Sequence, residues 1–407
     1  MRKRVNIVGF LMQVLLTLCF AELVFPPLTV MTSEYFTCLL CIVGWFCLSV
    51  IKNRAFYLRC PLYVLLSLVY FVLVVAIPYL FGFPVIGNRY SAISLIPLGY
   101  VIYKFHQKDG SLHIIKGAII VAIILSAITA MTTIAALINN ASVSRSIKGS
   151  GEYSETLKAQ GIGGYWFIYY AAIMASIFLE CMIYNHGKKK VIYGALCALF
   201  AFLTFKSNYT IALVMMVLSF ALLIAYYIFR KSRYRAIYAL FFAFVICALY
   251  IAGDILWGTV VAVLPERVAE IFTMNSGNTA LEQLADEFLL GRWPTMQTSI
   301  DAFLRAPLFG IVVSGEIGTA GIYLQGFGQH SHILDTFALY GIGIGIMTIY
   351  FLFLPFRKKD RTEDTGFMLA ILTSAVVVYF FNNATNSVAF AIGIVYPYVR
   401  DTIRKTE

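Results

Sequence analysis

Charge is scarce in this chain. Asp, Glu, Lys and Arg together make up 13% of its 407 residues, against 60% hydrophobic ones, and the mean hydropathy is +0.83. Such values exclude an ordinary soluble globular domain. Histidine is rarer still, with five copies. The eight cysteines fall in or beside apolar runs, and none lies in the long polar segment 254–332, so neither a disulfide framework nor a zinc site is implied. Three sequence patterns are also missing: a "DxD" pair to hold a metal and a nucleotide-sugar, a "GxxxxGK[ST]" phosphate loop and a "GxSxG" nucleophile elbow. ATP and nucleotide-sugars are therefore not expected as direct substrates.

What the chain does have is a succession of apolar runs. About 20 mostly apolar residues cross a bilayer as a helix, and backbone groups in lipid must be bonded within the segment. Twelve runs qualify: 5–25, 33–51, 61–81, 88–103, 113–138, 162–184, 190–205, 208–229, 236–253, 333–356, 366–382 and 386–399. The first has the basic start and apolar core of a signal peptide, but Glu22 and Pro26 stand where a small-residue cleavage pattern would follow, so it is read as a span. The expectation is an all-α polytopic integral membrane protein of about twelve helices. It would form a single membrane domain, 1–407, with a smaller outer loop at 139–161 and a large outer loop at 254–332 before the tenth helix.

Basic residues set the orientation, because short cytoplasmic loops carry an excess of Lys and Arg. With both termini placed in the cytoplasm, all but eight of the 31 Lys and Arg fall inside. The eight left outside are Arg89, Arg145, Lys148, Lys158, Lys206, Arg267, Arg292 and Arg305. The net charge of +11 is then a topology signal, and the partner it implies is the bilayer; nucleic acid need not be invoked.

The large outer loop has its own pattern. "TALEQLADEFLLG" opens with Thr279 and Glu282 in capping-box spacing and stops at Gly291, which predicts an amphipathic helix. "RWPTMQTSIDAFLRAP" predicts a second, with Met296, Ile300, Phe303 and Leu304 as its apolar stripe and Pro307 as its end. Arg292 sits at the break between the two. A permanent cation at an outer face is suited to hold a phosphate through bidentate hydrogen bonds, and is equally a solvated arginine at a helix start. Arg145 and Lys206 are further outer cations; Lys206, between two short spans, could instead be an interfacial anchor. Glycine occurs six times from Gly310 to Gly328, which permits close backbone approach to a ligand or a plain flexible loop. In "GQHSHILD", His330 and His332 end the loop. An imidazole there can take a proton from a hydroxyl. His330, His332 and Asp335 could alternatively contribute metal ligands, although the outer loops hold no third strong ligand cluster, and both histidines could be merely interfacial.

"HSHILDTFALYGIGIGI" resembles the signature of the O-antigen polymerase and O-antigen ligase superfamily of bacterial surface-polysaccharide assembly. There a histidine ends the large periplasmic loop and the next span carries a Leu, an aromatic and a Gly-rich run. "GRWPTMQTSIDAFLRAPLFG" is similar to the preceding element of that family, and "TFKSNYT", with Lys206 as its cation, loosely matches its "T-x-S-R" run. The chain departs from the pattern at Ser331, where Asn is frequent, and at Val312, where a second glycine is frequent. The resemblance implies a glycosyltransferase in the bacterial cytoplasmic membrane, needing no metal or cofactor. It would act on a glycan linked to undecaprenyl diphosphate, with a chain-length regulator and a flippase as protein partners. It further implies Arg292, with Lys206 and Arg145, as the diphosphate-binding set, and His330, with His332 in reserve, as the base that activates the acceptor. Polymerisation of repeat units into O-antigen, capsule or exopolysaccharide is the expected reaction. Ligation of the glycan to lipid A core is the alternative, and transport of lipid-linked sugars a second one.

Overall fold

A chain this apolar has only itself to satisfy its backbone, and helices do so locally. The computed structural model describes residues 7–32, 34–59, 61–147, 151–231, 294, 296–314, 331–357, 365–382 and 386–403, and among them there is no strand. The first half runs α1 (Ile7–Val24), α2 (Pro26–Met31), α3 (Glu34–Lys52), α4 (Arg54–Leu58), α5 (Leu62–Leu80), α6 (Pro84–Lys108) and α7 (Leu112–Asn139). Two short helices, α8 (Val143–Ser146) and α9 (Glu152–Ala159), lead into α10 (Tyr165–Tyr184), α11 (Gly187–Lys206) and α12 (Thr210–Lys231). After a helical stretch at 296–305 come α13 (Gly310–Ser314), α14 (His332–Phe353), α15 (Thr365–Phe381), α16 (Asn386–Phe390), a π-helical turn (Ala391–Val395) and α17 (Tyr396–Ile403).

Among the described residues, six helices are long and apolar enough to cross a membrane: Ile7–Val24, Leu62–Leu80, Leu112–Asn139, Tyr165–Tyr184, Thr210–Ile228 and His332–Phe356; Phe36–Lys52 and Thr365–Phe381 are shorter apolar helices. The protein is thus a helical membrane protein. The expected span at 236–253 and the amphipathic helix at 279–291 lie outside the described residues. Two boundaries differ from the sequence reading. Lys188 and Lys189, before the expected run 190–205, form the first turn of α11 with Lys190, and α6 extends at both ends beyond 88–103. A helix does not stop where its side chains turn polar, because the next backbone hydrogen bond still forms.

Burial ranks the helices. α10 is apolar all round and buried without interruption from Phe167 to Cys181, as a central helix must be. In its most apolar window 83% of residues are buried, against 28% in α5 and α12, so those two lie at the periphery. There Leu65, Val72, Val214 and Val217 are exposed, a surface stable only against lipid.

Glycines set the closest contacts. Gly99 of α6 faces Ile394, and Gly393 in the π-helical turn faces the Ile96 backbone, a small-residue approach typical of membrane helices. More consequential is a break in α14. Gly341 has φ 78° and ψ −175°, and a Cβ there would collide with the Leu308 carbonyl. Gly310, at φ 75°, sits reciprocally against the Leu339 carbonyl. The Ile342 N–H freed by the break donates to Pro307 O at 2.8 Å, so the 307–310 turn repairs the ladder that the break interrupts. In the stretch 296–305, Met296, Ser299 and Ala302 are buried, and the Phe303 ring meets Phe337 of α14 edge to face at 5.5 Å. Leu304, expected on the buried stripe, is 68% exposed.

At the end of the bundle where α3 and α6 finish, the basic loops are tied together by acids. Lys52 Nζ pairs with Asp109 Oδ2 at 2.7 Å, and Asn53 and Ser111 donate to the same carboxylate. Trp45 Nε1 can only donate, so His106 Nε2 accepts it at 3.1 Å. His106 Nδ1 must then carry the proton and donate to Ser111 Oγ at 2.8 Å. Nearby, Arg400 bonds Asp401 Oδ1 and Pro355 O, while Tyr103 and Gln107 donate to Asp401. Burial pushes the Asp109 carboxyl up, but the hydrogen bonds and charge of Lys52, with those of Ser111 and Asn53, outweigh it and hold the carboxyl below the usual aspartate range.

Alanine at Gly310 or Gly341 should cost about 3 kcal/mol or more of stability, from positive φ and backbone overlap combined. Gly343→Ala, with nothing near its added methyl, should change the thermal midpoint little; equal midpoints for all three variants would refute the close contact. The depressed Asp109 carboxyl stabilises the fold above the unfolded aspartate range, and that contribution disappears as pH falls through the folded value. Asp109→Asn should accordingly lower the thermal midpoint at neutral pH and flatten its dependence on acid below pH about 4.

Candidate functional site

The opposite end of the bundle, where α7, α11 and α15 finish and α10, α12 and α14 begin, gathers polar side chains around one amide. Asn382 follows the last turn of α15 and is 2% exposed. Its Oδ1 accepts from the Tyr165 hydroxyl, and its Nδ2 donates to Tyr169 Oη at 2.5 Å. Its carbonyl accepts the His332 N–H at 3.0 Å. One residue thereby joins the start of α10 to the start of α14. A buried amide of this kind is stable only when its donors and acceptors are met, and here three are.

From Tyr165 the cluster continues to Arg145. The Tyr165 and Tyr209 rings meet edge to face at 5.4 Å, and the Arg145 guanidinium lies 5.0 Å from the Tyr209 ring centre, within cation–π range. Arg145 Nη2 also donates to the carbonyl of Asn208. Asn208 has φ 58°, a left-handed conformation that asparagine tolerates better than most residues; it turns the chain from α11 into α12. Ser144 Oγ and Asn208 Oδ1, both buried, have no hydrogen-bond partner among the described residues.

From Asn382 the cluster continues the other way into α14. Ser331 caps that helix, its hydroxyl accepting the Leu334 N–H, in the manner typical of an N-cap serine. His332 is 2% exposed, with its ring edge to face against Tyr379 at 5.4 Å. Asp335, one turn on, is equally buried and accepts from Ser299 Oγ at 2.6 Å. A carboxylate in the first turn of a helix is favoured by the exposed N–H groups there. The Ser299 bond ties the 296–305 helix, which follows Arg292 in the chain, to the helix that follows His330.

The structure therefore brings Arg145 and His332 into one connected cluster. Lys206 lies two residues before the Asn208 turn with its side chain exposed. Arg292 and His330 lie outside the described residues. Sequence reasoning missed Asn382, Tyr165, Tyr169 and Tyr209; the available signal was Asn382 itself, an amide at the end of the apolar run 366–382. No family model and no curated protein matches the chain.

Asn382→Ala removes the hydrogen bonds to the Tyr165 and Tyr169 hydroxyls, a loss of about 1–3 kcal/mol in total, and should lower the thermal midpoint. Tyr379→Phe removes a buried hydroxyl with no partner among the described residues and should leave the midpoint unchanged or raised. The reverse order of the two effects would refute the network.

Proposed function

We propose that the protein polymerises polyprenyl-diphosphate-linked oligosaccharide repeat units on the outer face of the bacterial cytoplasmic membrane. The proposed topology has twelve spans with both termini cytoplasmic, so that the Arg145 and His332 end faces outward. The observation that carries the reading is the junction at Asn382. It supports a site in which the Arg145 guanidinium and a histidine-bearing helix start belong to one connected cluster, as transfer from a diphosphate carrier requires.

In this reading the acceptor hydroxyl attacks the anomeric carbon of the donor sugar. The bond from that carbon to the diphosphate oxygen breaks, and the polyprenyl diphosphate leaves with the electron pair. His330 takes the hydroxyl proton and later releases it to water; His332, buried against Tyr379, fits better as the residue that fixes the helix start than as the base. Arg292, assisted by Arg145 and Lys206, holds the diphosphate where negative charge grows, an effect of about 3 kcal/mol for each well-placed donor. The Ser144 hydroxyl, next to Arg145 in the chain, is a further donor suited to a phosphate oxygen. The energy is already stored in the sugar to diphosphate bond, which is why no nucleotide site is needed.

One observation favours transport of lipid-linked sugars instead: α14 is broken at Gly341, and transporters bind substrate at broken helices. Yet the space beside this break is filled by the 307–310 backbone, and its freed N–H is bonded to Pro307. The break thus serves packing, which weighs against transport.

Arg292→Ala and His330→Ala should each lower polymer formation about 100-fold or more, read on gels of surface glycan and with purified protein supplied with a defined lipid-linked repeat unit. Surface glycan reduced to single repeat units supports polymerisation. Lipid-linked polymer that never reaches the lipid A core supports ligation, and normal glycan in both variants refutes the site. Sidedness has a separate test: a membrane-impermeant maleimide should label Ser142→Cys in intact cells and spare Lys189→Cys, and the opposite pattern would refute the orientation.

A further inference from the structure

A cleft of about 640 Å³, mouth included, opens at the same end of the bundle between the end of α1, α2, the chain around Ile147, and the starts of α10 and α16. It adjoins the Asn382 cluster because Tyr165 belongs to both. The polar side chains on its wall include Glu22, Thr29, Lys158 and Ser387, and its aromatic residues include Tyr165 and Trp166. Glu22 is 3% exposed and accepts from the Thr32 hydroxyl at 2.6 Å. Trp166 is 45% exposed.

Three occupants are conceivable, and the wall chooses between them. A lipid tail would suit the apolar part of the wall but would set hydrocarbon against the Glu22 carboxyl and the Lys158 amine, which is unfavourable for ionisable groups. A phosphate would meet the carboxylate of Glu22 at close range, which opposes it. A neutral pyranose offers hydroxyls that donate to a carboxylate and accept from an ammonium, and C–H faces that pack on aromatic rings. We propose that this cleft is the subsite for the sugar at the acceptor end of the glycan, with Glu22 as its hydrogen-bond acceptor and Trp166 as its apolar wall. The assignment of the sugar as acceptor rests on the polymerase reading; the binding of a neutral pyranose does not.

The test is direct binding by the full chain in lipid nanodiscs, which avoid sugar-headed detergents. The probes are methyl glycosides of glucose, galactose, mannose, rhamnose and N-acetylglucosamine, read by saturation-transfer NMR, with inorganic pyrophosphate as the anionic control. At least one glycoside should bind saturably, and Glu22→Gln and Trp166→Ala should each weaken it at least tenfold. Trp166→Ala alters a half-exposed side chain, so it keeps the test valid should Glu22→Gln unfold. Saturation by none of the glycosides, or glycoside binding that neither variant weakens, would overturn the proposal. So would pyrophosphate binding that Trp166→Ala abolishes in place of sugar binding. Failure here leaves polymerisation standing, since that reading falls only with normal glycan in Arg292→Ala and His330→Ala.

Discussion

In hydrocarbon no water is available to complete a hydrogen bond, so each polar group must find its partner within the chain. That constraint runs through the whole structure. Ser67, Ser126 and Thr133 return their hydroxyls to carbonyls one turn back in their own helices, and Thr133 Oγ1 also accepts the Gly163 N–H across the bundle. The break at Gly341 survives for the same reason. Its orphan N–H is met by Pro307, and the paired glycines let two backbones come close enough for that bond to form.

The two ends of the bundle use polarity differently. At the basic end, Lys52 and Arg400 are absorbed into ion pairs with Asp109 and Asp401, and His106 is held neutral between Trp45 and Ser111. Those groups fasten helices. At the other end, Arg145 donates to the Asn208 carbonyl and lies against the Tyr209 ring. A guanidinium held by a carbonyl and an aromatic face is fixed in position, and the helix starts joined at Asn382 make that end the better candidate for chemistry.

The cleft beside that cluster extends the same logic to a neutral ligand. Its acid is buried near the end of α1, while its tryptophan stands at the start of α10. Neither residue alone marks a site. Their meeting across the end of the bundle, next to a tyrosine shared with the Asn382 network, gives a place where hydrogen-bonding and apolar surfaces face one ligand.

Hydropathy and charge along the chain suffice to identify a helical membrane protein and to locate its long apolar helices among the described residues, because both are sums over neighbouring residues. The sequence also singled out His332 and Arg145, since a histidine or arginine in so apolar a chain is conspicuous. What those residues touch follows from the packing of distant helices. Arg145 meets Asn208 across 63 positions, and Tyr165 meets Asn382 across 217. Such pairings depend on which helix faces pack together, and no local pattern carries that information. The break of α14 was hidden for a related reason: Gly341 lies among similar glycines, Gly343 and Gly345, and only the arrival of the 307–310 backbone selects which of them must leave the helix.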